Sequence, residues 1–172
     1  MLKLCGVLLI IGSFTGIGIS QRQRFRMRVV ALGDMISVLD YISSELSCRL
    51  TGLPEMIHTL SEDERTAVAA VFAPMHQYIC NDDGLSLTYK WMKSFRENGK
   101  QAGLHEDDIA ILCDMCDFIG KYDAQAQQKS IAYAKQRLSQ QLDTAAGECR
   151  SKGMVYRSCC IAAGILLVLI LL

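Results

Sequence analysis

Cys113 and Cys116 form the one C-x-x-C motif of the sequence. A second such pair would complete the four thiolates of a structural zinc, and a pair following a strand would suit thioredoxin-like redox chemistry. Here the pair lies within a helical pattern with both sulfurs on its apolar stripe, so the expected role is packing, with metal or redox sensing as the alternative. Cys159 and Cys160 fall in a terminal apolar run and are expected in a bilayer, with S-palmitoylation as the alternative in a eukaryote. His58, His76 and His105 stand far apart with no ligand motif joining them, and surface or partly buried roles are expected. The acidic groups Glu62-Asp63-Glu64, Asp82-Asp83 and Glu106-Asp107-Asp108 each sit at a turn or helix start, where the helix dipole and solvation already account for them. No P-loop, H-E-x-x-H, G-x-S-x-G or G-x-G-x-x-G motif occurs. No catalytic residue, metal ligand, cofactor or small-molecule substrate is therefore expected, and any energy-consuming process served by the chain must draw its energy from another subunit.

The elements that hold these residues read as helices throughout. Leu32, Met35, Ile36, Leu39, Ile42, Leu46 and Leu50 recur at helical spacing, with Asp34, Ser37, Asp40 and Glu45 opposite them. Thr51-Gly52-Leu53-Pro54 breaks that helix, and Pro54 opens a short one through Leu60. Ser61 and Glu64 form a capping-box pattern before Val68, Val71, Phe72, Met75 and Ile79, with a kink or restart expected at Pro74. After a turn at residues 81–84 come Leu87, Trp91 and Phe95, ending near Asn98-Gly99. The next stripe, Ile109, Leu112, Cys113, Cys116 and Ile119, starts around His105. Gly120 stops it, and Asp123 caps a last helix carrying Ile131, Ala134, Leu138, Leu142, Ala145 and Cys149, with bends expected at Gly147 or Gly153. The fold class is all-α, an antiparallel helical bundle whose two longest helices lead to the ends of the chain.

Both ends are strongly apolar. Residues 4–19 and 158–172 contain no charge, and each run approaches the roughly 20 residues that a helix needs to cross a bilayer. Arg22, Arg24, Arg26 and Arg28 follow the first run, and Arg150, Lys152 and Arg157 precede the second. Such basic flanks stay on the cytoplasmic side, so both ends predict transmembrane anchors and a cytoplasmic middle. The expected organisation is an anchor at 1–20, a helical bundle at 21–157 and an anchor at 158–172. The alternative is a cleaved signal peptide on a periplasmic or secreted adaptor. All 18 acidic residues lie within residues 34–148, which hold 10 Lys and Arg, so that span carries a net charge of −8. An acidic domain is a poor binder of nucleic acid, whereas basic flanks suit anionic headgroups. A reducing compartment leaves the thiols free, as small buried hydrophobes.

One stretch is more specific than any of these patterns. Gly120-x-x-Asp123-x-x-x-Gln127-Gln128-Lys129-x-Ile131, with Leu53-Pro54-Glu55 after the first helix and an apolar run at each end, resembles the stage III sporulation protein AB family. A second proline that the family pattern suggests in the first loop is replaced by Gly52. The resemblance spans essentially the whole chain. It implies a subunit of a secretion-like complex in the mother-cell membrane around the forespore, with a soluble domain similar to the cytoplasmic domains of F-type type II secretion platform proteins. It also implies a partner ATPase of the stage III sporulation protein AA type and other membrane subunits of that complex. Leu53, Pro54, Glu55, Gly120, Asp123, Gln127 and Gln128 are the candidate partner contacts, their other reading being helix stop and start signals. An acidic surface suits a basic partner, and such complementarity mainly sets specificity and on-rate.

Overall fold

The structure, a computed structural model, describes the backbone of residues 2–48, 52–81, 83–119 and 123–171, and side chains chiefly between residues 25 and 151. Among the described residues there are six helices and no strand: α1 Leu2–Cys48, α2 Leu53–Ser61, α3 Thr66–Cys80, α4 Leu87–Asn98, α5 Glu106–Cys116 and α6 Ala124–Leu171. The all-α class is thus observed. The chain divides into two compact units, one of Val30–Asp143 and one of Met1–Val29 with Thr144–Leu172.

Each helix of Val30–Asp143 buries most of the stripe that its sequence spacing defines. Leu32, Met35, Leu39 and Ile42 of α1 are almost fully buried, as are Met56 and Ile57 of α2 and Val68, Val71, Phe72 and Met75 of α3. Phe72, Trp91 and Phe95 form an aromatic cluster, with centroids 5.6, 5.7 and 5.8 Å apart and the two Phe72 contacts edge-to-face. Edge-to-face geometry aligns the ring quadrupoles favourably and adds about 0.5–1.5 kcal/mol to burial. Ser94 Oγ donates to the Val71 carbonyl at 2.6 Å inside this core, which ties α4 to α3. Lys135 pairs with Asp40, and Gln128 Nε2 donates to Ser47 Oγ. The residue numbers rise along α1 as they fall along α6, so these two helices run antiparallel within the unit.

Local sequence explains most of the boundaries. Ser86 Oγ accepts the Tyr89 N–H at 3.2 Å and caps α4, and Asp123 Oδ1 accepts the Ala126 N–H at 2.9 Å and caps α6. The His105 N–H donates to Asp108 Oδ2 at 2.9 Å, fixing the start of α5. Gly99 follows the last residue of α4 where space is tight: a Cβ there would lie 2.5 Å from the Phe95 carbonyl oxygen and 2.7 Å from Ile109 Cδ1. Gly103, at φ 96°, makes the turn into α5.

Several expectations are corrected. Ser61 does not cap α3; it closes the last turn of α2, with its Oγ on the His58 carbonyl at 2.6 Å. No side chain caps α3; Asp63 Oδ1 instead accepts the N–H of Arg65, the N-cap residue, at 2.8 Å and closes a tight turn ahead of the helix. A carboxylate reaching its own backbone two residues on competes effectively with the capping box. α3 passes through Pro74 without a restart. Glu45 and Arg28 are buried rather than solvated. Glu45 follows Ile42 by three residues and Arg28 precedes Leu32 by four, so helical geometry carries both onto the buried stripe. Ile36, Leu46, Ile79, Leu87, Leu142 and Cys149 are only half-buried, and Leu50 lies outside the described residues.

Among the described residues, no helix is long and apolar enough to cross a membrane. The side chains of the apolar runs themselves, at 4–19 and nearly all of 158–172, lie outside the described residues, as do those of Arg22, Arg24, Lys152 and Arg157. Arg26 and Arg150 are exposed.

Candidate docking surface

The structure brings the two segments singled out by motif to one end of Val30–Asp143. Gln128, in the first turns of α6, reaches Ser47 near the end of α1. Leu53, the first residue of α2, shares a small cleft with Leu87, Thr88, Trp91, Cys116 and Ile119, the last of these directly preceding Gly120. The Nε1 of Trp91 is buried there without an acceptor among the described residues, a desolvation cost of about 1–3 kcal/mol.

Within this end the motif residues differ in what they do. Leu53 is half-buried and its side chain packs, whereas Pro54 and Glu55 are exposed in the first turn of α2. Asp123 is exposed and its carboxylate is engaged in capping α6. Gln127 is half-buried and Gln128 exposed. Gly120 lies outside the described residues. The helix-boundary role therefore applies to Pro54, in the first two positions of α2, and to Asp123, while Glu55 and Gln128, like Pro54, present surface.

Beside the turn before α6 opens a groove of about 410 Å³ between α5 and α6. Ile111, Met115 and Phe118 form one side, and Ala126, Tyr133 and Ala134 the other. Its charged lip carries Asp114 on the α5 side and Lys129 and Arg137 on the α6 side. Tyr133 is 63% exposed and Phe118 42%, large apolar areas for a monomer surface. The Arg137 guanidinium lies 5.8 Å from the Tyr133 ring centroid, in cation–π range. Sequence reasoning missed this groove because it followed the stronger stripe through Ile131, Ala134 and Leu138. The available signal was a second face, Ala126, Ser130, Tyr133 and Arg137, stepping at four, three and four with an aromatic on it.

The thiols and histidines are now placed. Cys113 and Cys116 are buried and free, as packing requires. Burial raises the Cys113 thiol above its ordinary range despite nearby Arg96, and it raises Cys116 well above. Cys116 Sγ also donates to the Leu112 carbonyl at 2.8 Å. Thiols held protonated in this way are poor nucleophiles and poor ligands. His58 and His76 are not apart: their rings meet edge-to-face with centroids 4.8 Å apart, and Cys80 Sγ lies 3.6 Å from His76 Nε2. His76 and Cys80 are four residues apart and so share a helix face, a spacing that sequence reasoning overlooked. Among the described residues, no three His, Cys, Asp or Glu side chains are arranged to hold a metal ion.

Surface charge is organised by short-range pairs. Arg65 Nε and Nη2 donate to Asp63 at 2.9 and 2.6 Å, and Arg65 lies 4.0 Å from Asp34. The guanidinium holds the Asp63 carboxyl below its ordinary range, whereas burial raises that of Asp34. Lys90 reaches Asp83 at 2.7 Å and the Asn81 carbonyl at 2.6 Å, which pins the turn before α4.

Comparison with known proteins gives one positive finding. The model of the stage III sporulation protein AB family matches residues 3–172. No curated protein matches, and no solved structure does either.

Proposed function

The chain belongs to the stage III sporulation protein AB family and is thus a sporulation protein; from that premise we propose that it is a non-enzymatic platform subunit, anchored in the mother-cell membrane around the forespore. Its apolar ends are the anchors, its helical domain faces the cytoplasm, and the complex it serves is secretion-like. The docked partner is a cytoplasmic secretion-type ATPase of the stage III sporulation protein AA class, beside other membrane subunits of the same complex. The observation that carries this reading is the family match, which runs through both apolar ends as well as the bundle.

The chemistry of the chain supports it. α1 and α6 each run as one helix from an apolar end of the chain into Val30–Asp143. The exposed residues Pro54, Glu55 and Gln128 offer contacts at one end of that unit, on a span of net charge −8. A basic partner surface complements it, and Glu55 is the acidic residue of the motif free to act across an interface. Isolation of the full chain from sporulating cells in mild detergent tests the reading. Co-purification of the ATPase, reduced several-fold by Glu55→Lys, is expected. Extraction of the full chain from those membranes without the ATPase would contradict it.

A further inference from the structure

We propose that the α5/α6 groove is a self-association surface: two copies of this chain meet there about a twofold axis, each placing its Tyr133 in the other's groove. The inference is independent of the ATPase. Three observations carry it. First, the molecule has both a hole and a knob for it, since the 410 Å³ groove is lined by Ile111, Met115 and Ala134 while Tyr133 on its lip is 63% exposed. A twofold contact exchanges each knob for the other's hole.

Second, the charge of the lip is self-complementary. Asp114 lies on the α5 side and Lys129 and Arg137 on the α6 side. A twofold axis lying along the groove sets one copy's α5 lip against the other's α6 lip, so Asp114 faces the Arg137 side twice. Opposite charges then frame an apolar centre, the usual anatomy of a specific interface. A foreign helix would need an acidic flank and a basic flank in fixed register, whereas a second copy supplies both. Third, these charges are not spent on ion pairs, Arg137 lying instead against the ring of its own Tyr133. Among the described residues, none of Asp114, Lys129 and Arg137 is in an ion pair, although Lys90, Lys100 and Lys135 each are.

Sedimentation of the purified full chain in detergent, over a concentration series, tests the proposal. The expected result is a dimer whose dissociation constant rises at least tenfold in Asp114→Arg and in Arg137→Asp. Recovery is expected in the double variant D114R/R137D, where the pairing is restored with reversed sense. Tyr133→Ala removes only an exposed ring, leaves the helical circular dichroism unchanged, and is expected to weaken the dimer at least tenfold. A monomeric wild-type chain at every concentration would overturn the proposal and leave the groove to another protein. A dimer indifferent to all four variants would overturn it too, by placing self-association elsewhere. Single reversals that weaken the dimer without rescue in the double variant would refute the twofold pairing.

Discussion

Burial and hydrogen bonding decide the chemistry of individual side chains more than residue type does. Cys80 is exposed beside His76, whereas Cys113 and Cys116 are buried with thiols pushed above their usual range. Labelling of the folded chain near pH 7.5 is expected to modify Cys80 within minutes and to leave Cys113 and Cys116 unmodified until denaturant is added. Mass mapping of the labelled peptides checks this, and native modification of the C-x-x-C pair would revive a redox role for it. Asp63 gives a pH-dependent expectation. Its folded carboxyl is depressed by Arg65, so the stability it contributes is fully present above the ordinary carboxylate range and is lost as pH falls through the lowered value. Asp63→Ala is expected to cost about 1 kcal/mol at pH 7, as loss of the turn bond to the Arg65 N–H and of a partly exposed ion pair. The deficit should shrink when denaturant unfolding is repeated near pH 3. A deficit equal at both pH values would show that the ion pair with Arg65 adds nothing to the turn.

At the scale of the element, the helices were legible because each apolar residue repeats at a spacing that only a helix can bury on one side. Trp91 and Phe95 of α4 and the whole Ile109-to-Ile119 stripe follow from that spacing alone. The misreadings all arise where tertiary packing or a local bond overrules a local pattern. Ser61 has a capping partner in sequence, yet α3 starts uncapped after a turn that the Asp63 carboxylate closes by reaching both the backbone and the side chain of Arg65. Pro74 deprives the Ala70 carbonyl of its helical donor, but the buried side chains on either side, Phe72 and Met75, hold α3 together. Pro74→Ala is therefore expected to stabilise the domain by about 1–3 kcal/mol, read as a higher midpoint in urea. Gly99→Ala acts in the opposite sense. It has an ordinary helical φ of −60°, so the strain is one of space, against the Phe95 carbonyl and Ile109, and a loss of about 1–3 kcal/mol is expected. An unchanged midpoint in Gly99→Ala would mean that α5 shifts freely against α4.

At the scale of the whole molecule, the family and the helical class were legible, while the surface was not. The family rests on a contiguous motif, and residues 120–131 keep their spacing whatever the fold does with them. The groove depends on α5 and α6 lying side by side, and no periodicity within either helix encodes that approach. The meeting of His58 with His76 is invisible for the same reason, as it needs α2 folded back on α3. The proposed platform role depends above all on which side of the membrane the helical domain occupies. Impermeant maleimide labelling of Cys80 in intact cells and in inverted vesicles tests this most directly, because Cys80 is the exposed thiol of the packed unit among the described residues. Labelling confined to inverted vesicles is the result expected of a cytoplasmic domain within reach of a secretion ATPase. Labelling in intact cells would place the domain on the other side and contradict the platform role.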